Sequence, residues 1–269
     1  MTIKADLRTS FLLARRAHFF SIALWLLLAV LGVALLGALF SGRQPATVAL
    51  DVGLSAMRLL LPILVILLVQ ELLSREFDRR YILSSLTYPR PRHQLLLGRA
   101  LTVLLLIYTL LAVMAISLGY LTVQIGLGYA QSTPVALGLP YLITIAHIGV
   151  DLFVLTALAT LLAIVASTPA FVLIGTLGFM LIARSYAPII ALLERERYVV
   201  ENPELYQQSL GLLGYLLPDL SAMDVRMISL YGQMELLPGD WLASLLANLA
   251  YGLALLALAL FALHRKRFN

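Results

Sequence analysis

Two charged side chains stand alone in a long uncharged part of the sequence, and their chemistry depends on their surroundings. Asp151 and Arg184 are the only charged residues between Ala100 and Leu193. His147 precedes Asp151 by four residues, which places both on one face of a helix and is also a spacing of metal ligands. Because no cysteine or third ligand is close in sequence, we expect a charge satisfied inside a helical bundle and assign no metal ligands.

Catalytic motifs are missing from the sequence. The only lysines are Lys4 and Lys266, and neither follows a glycine-rich loop, so there is no Walker A motif. The four histidines form no HExxH motif, and no G-x-S-x-G sequence is present. Without cysteine, disulfides and thiolate metal centres are excluded too. We expect no enzyme active site in this chain.

The composition is that of an integral membrane protein. Of the 269 residues, 61% are hydrophobic and 12% are charged, against about 25% charged residues in a soluble domain. Long continuous apolar runs favour spanning helices over a β-barrel, because each spanning amide must be bonded within the protein. The net charge of +5 fits arginine-rich cytoplasmic loops, so we expect an all-α multi-pass protein with the lipid bilayer, not nucleic acid, as a partner.

Breaks rich in glycine, proline and polar residues divide the apolar sequence into six predicted transmembrane helices in one domain. Arg58 lies near the start of the second helix, and we expect its long side chain to reach the membrane interface. Residues 1–18 are predicted to form a basic amphipathic helix, followed by an anchor rather than a cleaved signal. The six predicted helices cover residues 19–40, 52–73, 95–125, 140–166, 170–190 and 241–263.

Positive charges orient the predicted bundle. The amino-terminal segment holds four lysines and arginines, residues 71–100 hold six and the carboxyl tail three, together thirteen of nineteen. Even numbers of helices separate these regions, so they share one side, which the positive-inside rule makes cytoplasmic. Both termini are therefore predicted to be cytoplasmic. Residues 191–240, with eight of the fourteen acidic residues, are predicted to be external, as short helices or re-entrant pieces.

The largest cytoplasmic feature is predicted to be the loop at residues 74–94, within the stretch ELLSREFDRRYILSSLTYPRPRHQLLLGRA. Phe77 and Tyr81 lie on one face of a predicted helix, roughly opposite Arg79, and Pro89 helps to end that helix. One interpretation is a basic loop stabilised by anionic lipid headgroups. The other is a docking helix for a cytoplasmic partner, which the aromatic stripe favours.

The same stretch resembles the loop between the second and third transmembrane helices in membrane subunits of ABC transporters of the type-2 exporter class. A basic amphipathic amino terminus and a long external segment before the last helix, here containing LLPDLSAMD, also resemble that family. The matching features in the loop are Glu76, LSSL at residues 83–86, Pro89, Arg90 and LLLGR at residues 95–99.

The resemblance implies that two copies of the chain form a homodimer and that the loop docks in a cleft of a separate cytoplasmic ABC ATPase subunit. ATP and Mg²⁺ would be bound by that partner, and this chain would bind no cofactor. The coupling residues implied are Glu76, Phe77, Arg79, Arg80, Tyr81, Pro89 and Arg90. The residues implied to cap the outer end of the pathway are Leu212, Leu213, Tyr215, Leu216 and Leu217.

These features lead to the expectation of an export subunit in the inner or plasma membrane. One alternative is a subunit of the same fold that supports maturation of an extracytoplasmic metalloenzyme or cytochrome, with an extracytoplasmic accessory protein as a further partner. A third, from another class, is a membrane scaffold without an energy source. The substrate does not follow from the sequence, because apolar helices accept lipids, glycans and drugs alike.

An ion pair between Asp151 and Arg184 is predicted from their positions in a helical hairpin. The fourth and fifth helices turn near Thr168, 17 residues after Asp151 and 16 before Arg184. At about 1.5 Å per residue, both lie roughly 25 Å from the turn and hence at similar depth. Pairing, by direct contact or through a bridging water, reduces the cost of placing either charge in the membrane. Arg58 is the competing partner for Asp151, and the same pairing could also form across the dimer.

Overall fold

The computed structural model describes residues 3–74, 92–128, 134–166, 168–195 and 217–266. The secondary structure of these residues is helical, without strands, which confirms the all-α prediction for this part of the chain. A π-helical turn, Gln70–Ser74, extends α3, and two 3₁₀ turns cover Ser221–Met223 and Met234–Leu236. The helices are α1 (Ile3–Arg16), α2 (Phe19–Phe40), α3 (Pro45–Val69), α4 (Arg92–Leu127), α5 (Leu139–Val165), α6 (Pro169–Arg195), α7 (Met227–Tyr231) and α8 (Trp241–Arg265).

Six of these helices are long and apolar enough to cross a membrane, namely α2, α3, α4, α5, α6 and α8. This is the pattern of a multi-pass membrane protein. The α5 helix is the most deeply buried of the six and packs most extensively against α8. By contrast, α2 exposes much of its apolar surface, as expected for a helix that faces lipid.

The second spanning helix begins earlier than predicted. The sequence predicts a break at residues 41–51 and a helix at residues 52–73, whereas α3 begins at Pro45. Proline is favourable in the first turn of a helix, where its missing N–H would have no partner, so here it starts the helix instead of breaking one. The early start brings Ala46 and Leu50 into the core, where both are fully buried.

Other helix ends differ from the prediction by smaller amounts. The α4 helix runs from Arg92 to Leu127 instead of over residues 95–125, and α5 covers Leu139–Val165 instead of residues 140–166. The α6 helix continues past residue 190 to Arg195, and α8 ends at Arg265 instead of residue 263. The apolar runs end near the predicted bounds, but a helix can continue beyond such a run into polar residues.

The amino-terminal helix α1 is separate from the first spanning helix. His18 adopts a left-handed conformation (φ 60°) between α1 and α2, which changes the direction of the chain. Arg99 near the start of α4 donates a hydrogen bond from Nη1 to Ser10 Oγ at 3.1 Å, and both residues are buried. This bond holds α1 against the first turns of α4.

Several contacts bring helix ends together at one end of the bundle, which we call the loop end. Gln70 at the end of α3 donates a hydrogen bond from Nε2 to the carbonyl oxygen of Pro169 at 2.6 Å. The rings of His93, at the start of α4, and His264, at the end of α8, stack with centroids 6.4 Å apart. The loop end therefore contains the two helix ends that flank residues 75–91 and the last described turn of α8.

Candidate functional site

Asp151 on α5 and Arg184 on α6 form the predicted ion pair inside the bundle. Arg184 Nη2 donates to Asp151 Oδ2, and the aspartate is fully buried. Arg184 also donates from Nη1 to the backbone carbonyl oxygen of Arg58 on α3, at 3.0 Å. One guanidinium group thus joins three helices, and it neutralises a carboxylate that would be costly to bury alone.

Arg58 has a different role from the predicted one. It is 9% exposed instead of reaching the interface, because the early start of α3 at Pro45 places it near the middle of the spanning helix. Its Nη1 lies 2.5 Å from Asp224 Oδ2, and its Nη2 donates to the carbonyl oxygen of Leu220 at 3.4 Å. Arg58 therefore pairs with the segment before α8 instead of with Asp151.

That segment enters the bundle between the spanning helices, and we call residues 217–231 the inserted segment. Leu220 is fully buried, and its N–H donates to the carbonyl oxygen of Ala183 on α6 at 3.2 Å. Asn248 on α8 donates to the carbonyl oxygen of Asp219 at 3.2 Å. Because Asn248 lies seven residues after Trp241, the inserted segment reaches about 10 Å along α8. Short helices and re-entrant structure were the sequence-based expectation for this region.

Arg226 of the inserted segment adds a second link to α3. Its Nη1 lies 3.1 Å from Asp51 Oδ1 and donates to Ser55 Oγ, and its Nε lies 3.5 Å from Asp224 Oδ1. Asp224 thus contacts two arginines. Three arginines and three aspartates balance one another in this region, which we call the charge cluster: Asp51, Arg58, Asp151, Arg184, Asp224 and Arg226.

A cleft of about 370 Å³ opens beside the charge cluster. It lies between α3, α6 and the inserted segment. Its lining combines guanidinium, carboxylate and hydroxyl groups with two apolar side chains, so it is a polar site bordered by spanning helices. The residues that line it are Ser55, Arg58, Leu59, Arg184, Pro188, Ser221, Asp224 and Arg226.

His147 lies one turn before Asp151 on α5 and is 1% exposed. Its Nδ1 is 2.8 Å from the carbonyl oxygen of Ile143, and its ring centroid is 6.0 Å from that of Trp241 on α8. The described residues contain no group of three or more histidine, cysteine, aspartate or glutamate side chains that could hold a metal ion. His147 and Asp151 thus share a polar environment without a third metal ligand in that part of the chain.

The structure brings together three of the four predicted intramembrane residues, Arg58, Asp151 and Arg184, in one cluster, with His147 beside it. The roles of Asp51, Asp224 and Arg226 were not predicted from the sequence. The sequence contains one pattern that indicates a role for two of them: Asp224 and Arg226 are charged residues two positions apart between apolar stretches. Leu217, predicted as part of an external cap, is half-buried at the start of the inserted segment.

The remaining predicted site residues lie outside the described residues. This holds for the predicted ATPase-coupling residues and for four of the five predicted cap residues. Their roles stay predictions. They are Glu76, Phe77, Arg79, Arg80, Tyr81, Pro89 and Arg90 of the coupling loop, and Leu212, Leu213, Tyr215 and Leu216 of the cap.

Comparison with known proteins does not assign the chain to a family. No family model matches the sequence, and no curated protein matches it.

Proposed function

We propose that this chain is the membrane subunit of an ABC transporter of the type-2 exporter class, which works as a homodimer and couples ATP hydrolysis by a separate ATPase subunit to export. The observation that carries the proposal is the order of elements along the chain. A basic amphipathic helix precedes two spanning helices, an arginine-rich stretch resembling a coupling loop follows, and an inserted segment precedes the last span.

We place the loop end on the cytoplasmic side of the inner or plasma membrane. The three basic regions of the sequence flank or belong to this end, and they hold thirteen of the nineteen lysines and arginines. The stretch at residues 75–91 then faces a cytoplasmic ATPase. The inserted segment enters from the opposite side, where it can close the outer end of a pathway.

The continuity of α3 gives the proposed coupling a physical route. The span from Pro45 to Ser74 carries Asp51, Ser55 and Arg58 of the polar site, and its end leads directly into the proposed coupling loop. A force on the loop would move α3 as a packed helix. That movement would act on the contacts of Arg58 and Asp51 with the inserted segment.

Replacing Phe77 and Tyr81 with alanine tests the docking of the ATPase. We expect the amount of ATPase that co-purifies from native membranes to fall at least about tenfold, because aromatic side chains seated in a partner cleft often contribute about 2 kcal/mol each. The matched control replaces Phe40 and Tyr120 with alanine. Both are highly exposed on spanning helices and face lipid in the proposed arrangement, so association should be unchanged.

Two results would contradict the proposal. If no ATP-hydrolysing subunit co-purifies with the unaltered chain, the non-energised scaffold becomes the better assignment. If an ATPase co-purifies equally well with the Phe77/Tyr81 variant, the docking role of this loop is wrong.

Single cysteines at Ser84 and Ser209 test the orientation of the bundle. The sequence contains no cysteine, so each variant carries one thiol. We expect an impermeant maleimide added to intact cells to label Ser209→Cys, and to label Ser84→Cys only after the membrane is permeabilised. Labelling of both positions from outside would overturn the six-span orientation.

A further inference from the structure

Two buried atoms on α5 have no hydrogen-bond partner among the described residues. Asp151 uses Oδ2 to accept from Arg184, whereas its Oδ1 has no partner. His147 Nε2 is buried and has none either. The two side chains are four residues apart, so they lie on one face of the helix, one turn from each other. Leaving such groups unsatisfied in a buried site is costly.

The hydrogen bond on the other ring nitrogen defines the state of His147. The carbonyl oxygen of Ile143, 2.8 Å from Nδ1, can only accept, so Nδ1 must carry a hydrogen. In the neutral ring, Nε2 is therefore an acceptor. An ionised Asp151 also offers only an acceptor at Oδ1. A proton on Nε2 would make this nitrogen a donor and would place a positive charge one helical turn from the carboxylate of Asp151.

The aromatic ring beside His147 also favours protonation of Nε2. The indole of Trp241 has its centroid 6.0 Å from that of the imidazole, with the ring planes at 44°. This distance is the outer limit of the range in which an aromatic ring attracts a cation. The carboxylate of Asp151, one turn away, attracts the imidazolium as well. Burial of the ring opposes the charge.

The charges that the neighbouring elements place around this position sum to one net positive charge, which the carboxylate of Asp151 on α5 balances. Arg184 on α6 and Arg58 on α3 are positive, and Asp224 of the inserted segment is negative. From α4, the neutral hydroxyl of Tyr108 donates to the carbonyl oxygen of Gly149 at 3.1 Å. The α8 helix places Trp241 beside His147, and Asp240 at its start is exposed.

We propose that His147 is a proton-binding site. A proton from solvent forms an N–H bond at Nε2, and the resulting imidazolium lies beside the indole of Trp241 and one helical turn from the carboxylate of Asp151. Attraction to His147 weakens the hold of Asp151 on Arg184. Proton uptake therefore loosens the charge cluster where α5 meets α6. This site does not depend on the transporter assignment, because its parts belong to the described bundle.

Tryptophan fluorescence provides a direct test. The chain has two tryptophans, and Trp25 is 72% exposed on α2, so Trp25→Phe leaves Trp241 as the single reporter. A protonated imidazole beside an indole quenches its emission. As the pH falls from about 8 to about 5, where histidines titrate, we expect the Trp241 emission to drop roughly twofold. His147→Gln should abolish the drop, whereas the control His93→Gln, at an exposed position, should retain it.

The unaltered sequence provides an independent measurement. Isotopic labelling of the four histidine rings allows His147 to be followed by NMR without a substitution in the bundle. A neutral His147 ring throughout the range from about pH 8 to about pH 5 would overturn the proposal. A fluorescence drop that persists in His147→Gln would also overturn it, because another group would then be the quencher.

The link to the charge cluster has its own test. Arg184→Gln should destabilise the protein less at about pH 5 than at about pH 8, and adding His147→Gln should remove this difference, which separates the charge of His147 from protonation of Asp151 itself. An equal loss at both pH values would show that the proton site does not act on the pair.

Discussion

Asp151→Asn is expected to lower the free energy of unfolding by about 3 kcal/mol, and Arg184→Gln by a similar amount. The reason is the burial of the pair. Asp151 is fully buried on the most buried spanning helix, and Arg184 connects it to the backbone of α3. Removal of either partner leaves a charge inside the bundle without its counter-charge, which costs more than the pair itself contributes.

The double variant distinguishes an ion pair from two independent contributions. Asp151→Asn combined with Arg184→Gln leaves two neutral amides, so it should recover part of the summed loss. Unfolding in mixed micelles with increasing denaturing detergent measures all three variants. Asp240→Asn and Arg43→Gln make the same chemical changes at exposed positions and should stay within about 0.5 kcal/mol of the unaltered protein. Strictly additive losses in the double variant would rule out the pair.

Gly252→Ala is expected to be destabilising by about 2 kcal/mol, because it introduces a methyl group where α8 meets α5. A Cβ atom at Gly252 would lie 2.5 Å from Cε1 and 2.7 Å from Cδ1 of the Phe153 ring. An aromatic ring cannot bend away as the tip of a flexible side chain can. Small residues let spanning helices approach closely, and this approach supports the most extensive helix pair of the bundle.

Gly178→Ala is the matched control for this substitution. Gly178 lies within α6, and no atom lies within 4 Å of the Cβ that alanine would add there. Since alanine is a better helix former than glycine, this control should be neutral or slightly stabilising. Phe153→Leu in the Gly252→Ala protein should restore part of the lost stability. The packing explanation fails if Gly252→Ala is as stable as Gly178→Ala in the same detergent titration.

The sequence by itself predicted the six spanning helices. Inside a bilayer every backbone amide must be hydrogen-bonded within the protein, and a long apolar run achieves this by forming a helix. It also predicted the Asp151–Arg184 pair. That inference needed only the hairpin of two consecutive helices and the fact that no other charge lies between Ala100 and Leu193. Both predictions rest on local pattern and on the cost of an isolated charge in a membrane, and neither requires the packing of distant helices.

Only the tertiary structure determined the partners of Arg58. From the sequence, Arg58 was predicted to lie near the start of a helix and to extend its side chain to the membrane interface. Instead, α3 begins at Pro45 and places Arg58 deep in the bundle. Its partner Asp224 is distant in the chain and reaches it because Leu220 and Met223 are buried among the spanning helices. The depth of an inserted segment follows from packing against α3, α6 and α8 together, and such contacts leave no periodic signal in the sequence. For the same reason, the position of Trp241 beside His147 follows only from the packing of α5 against α8.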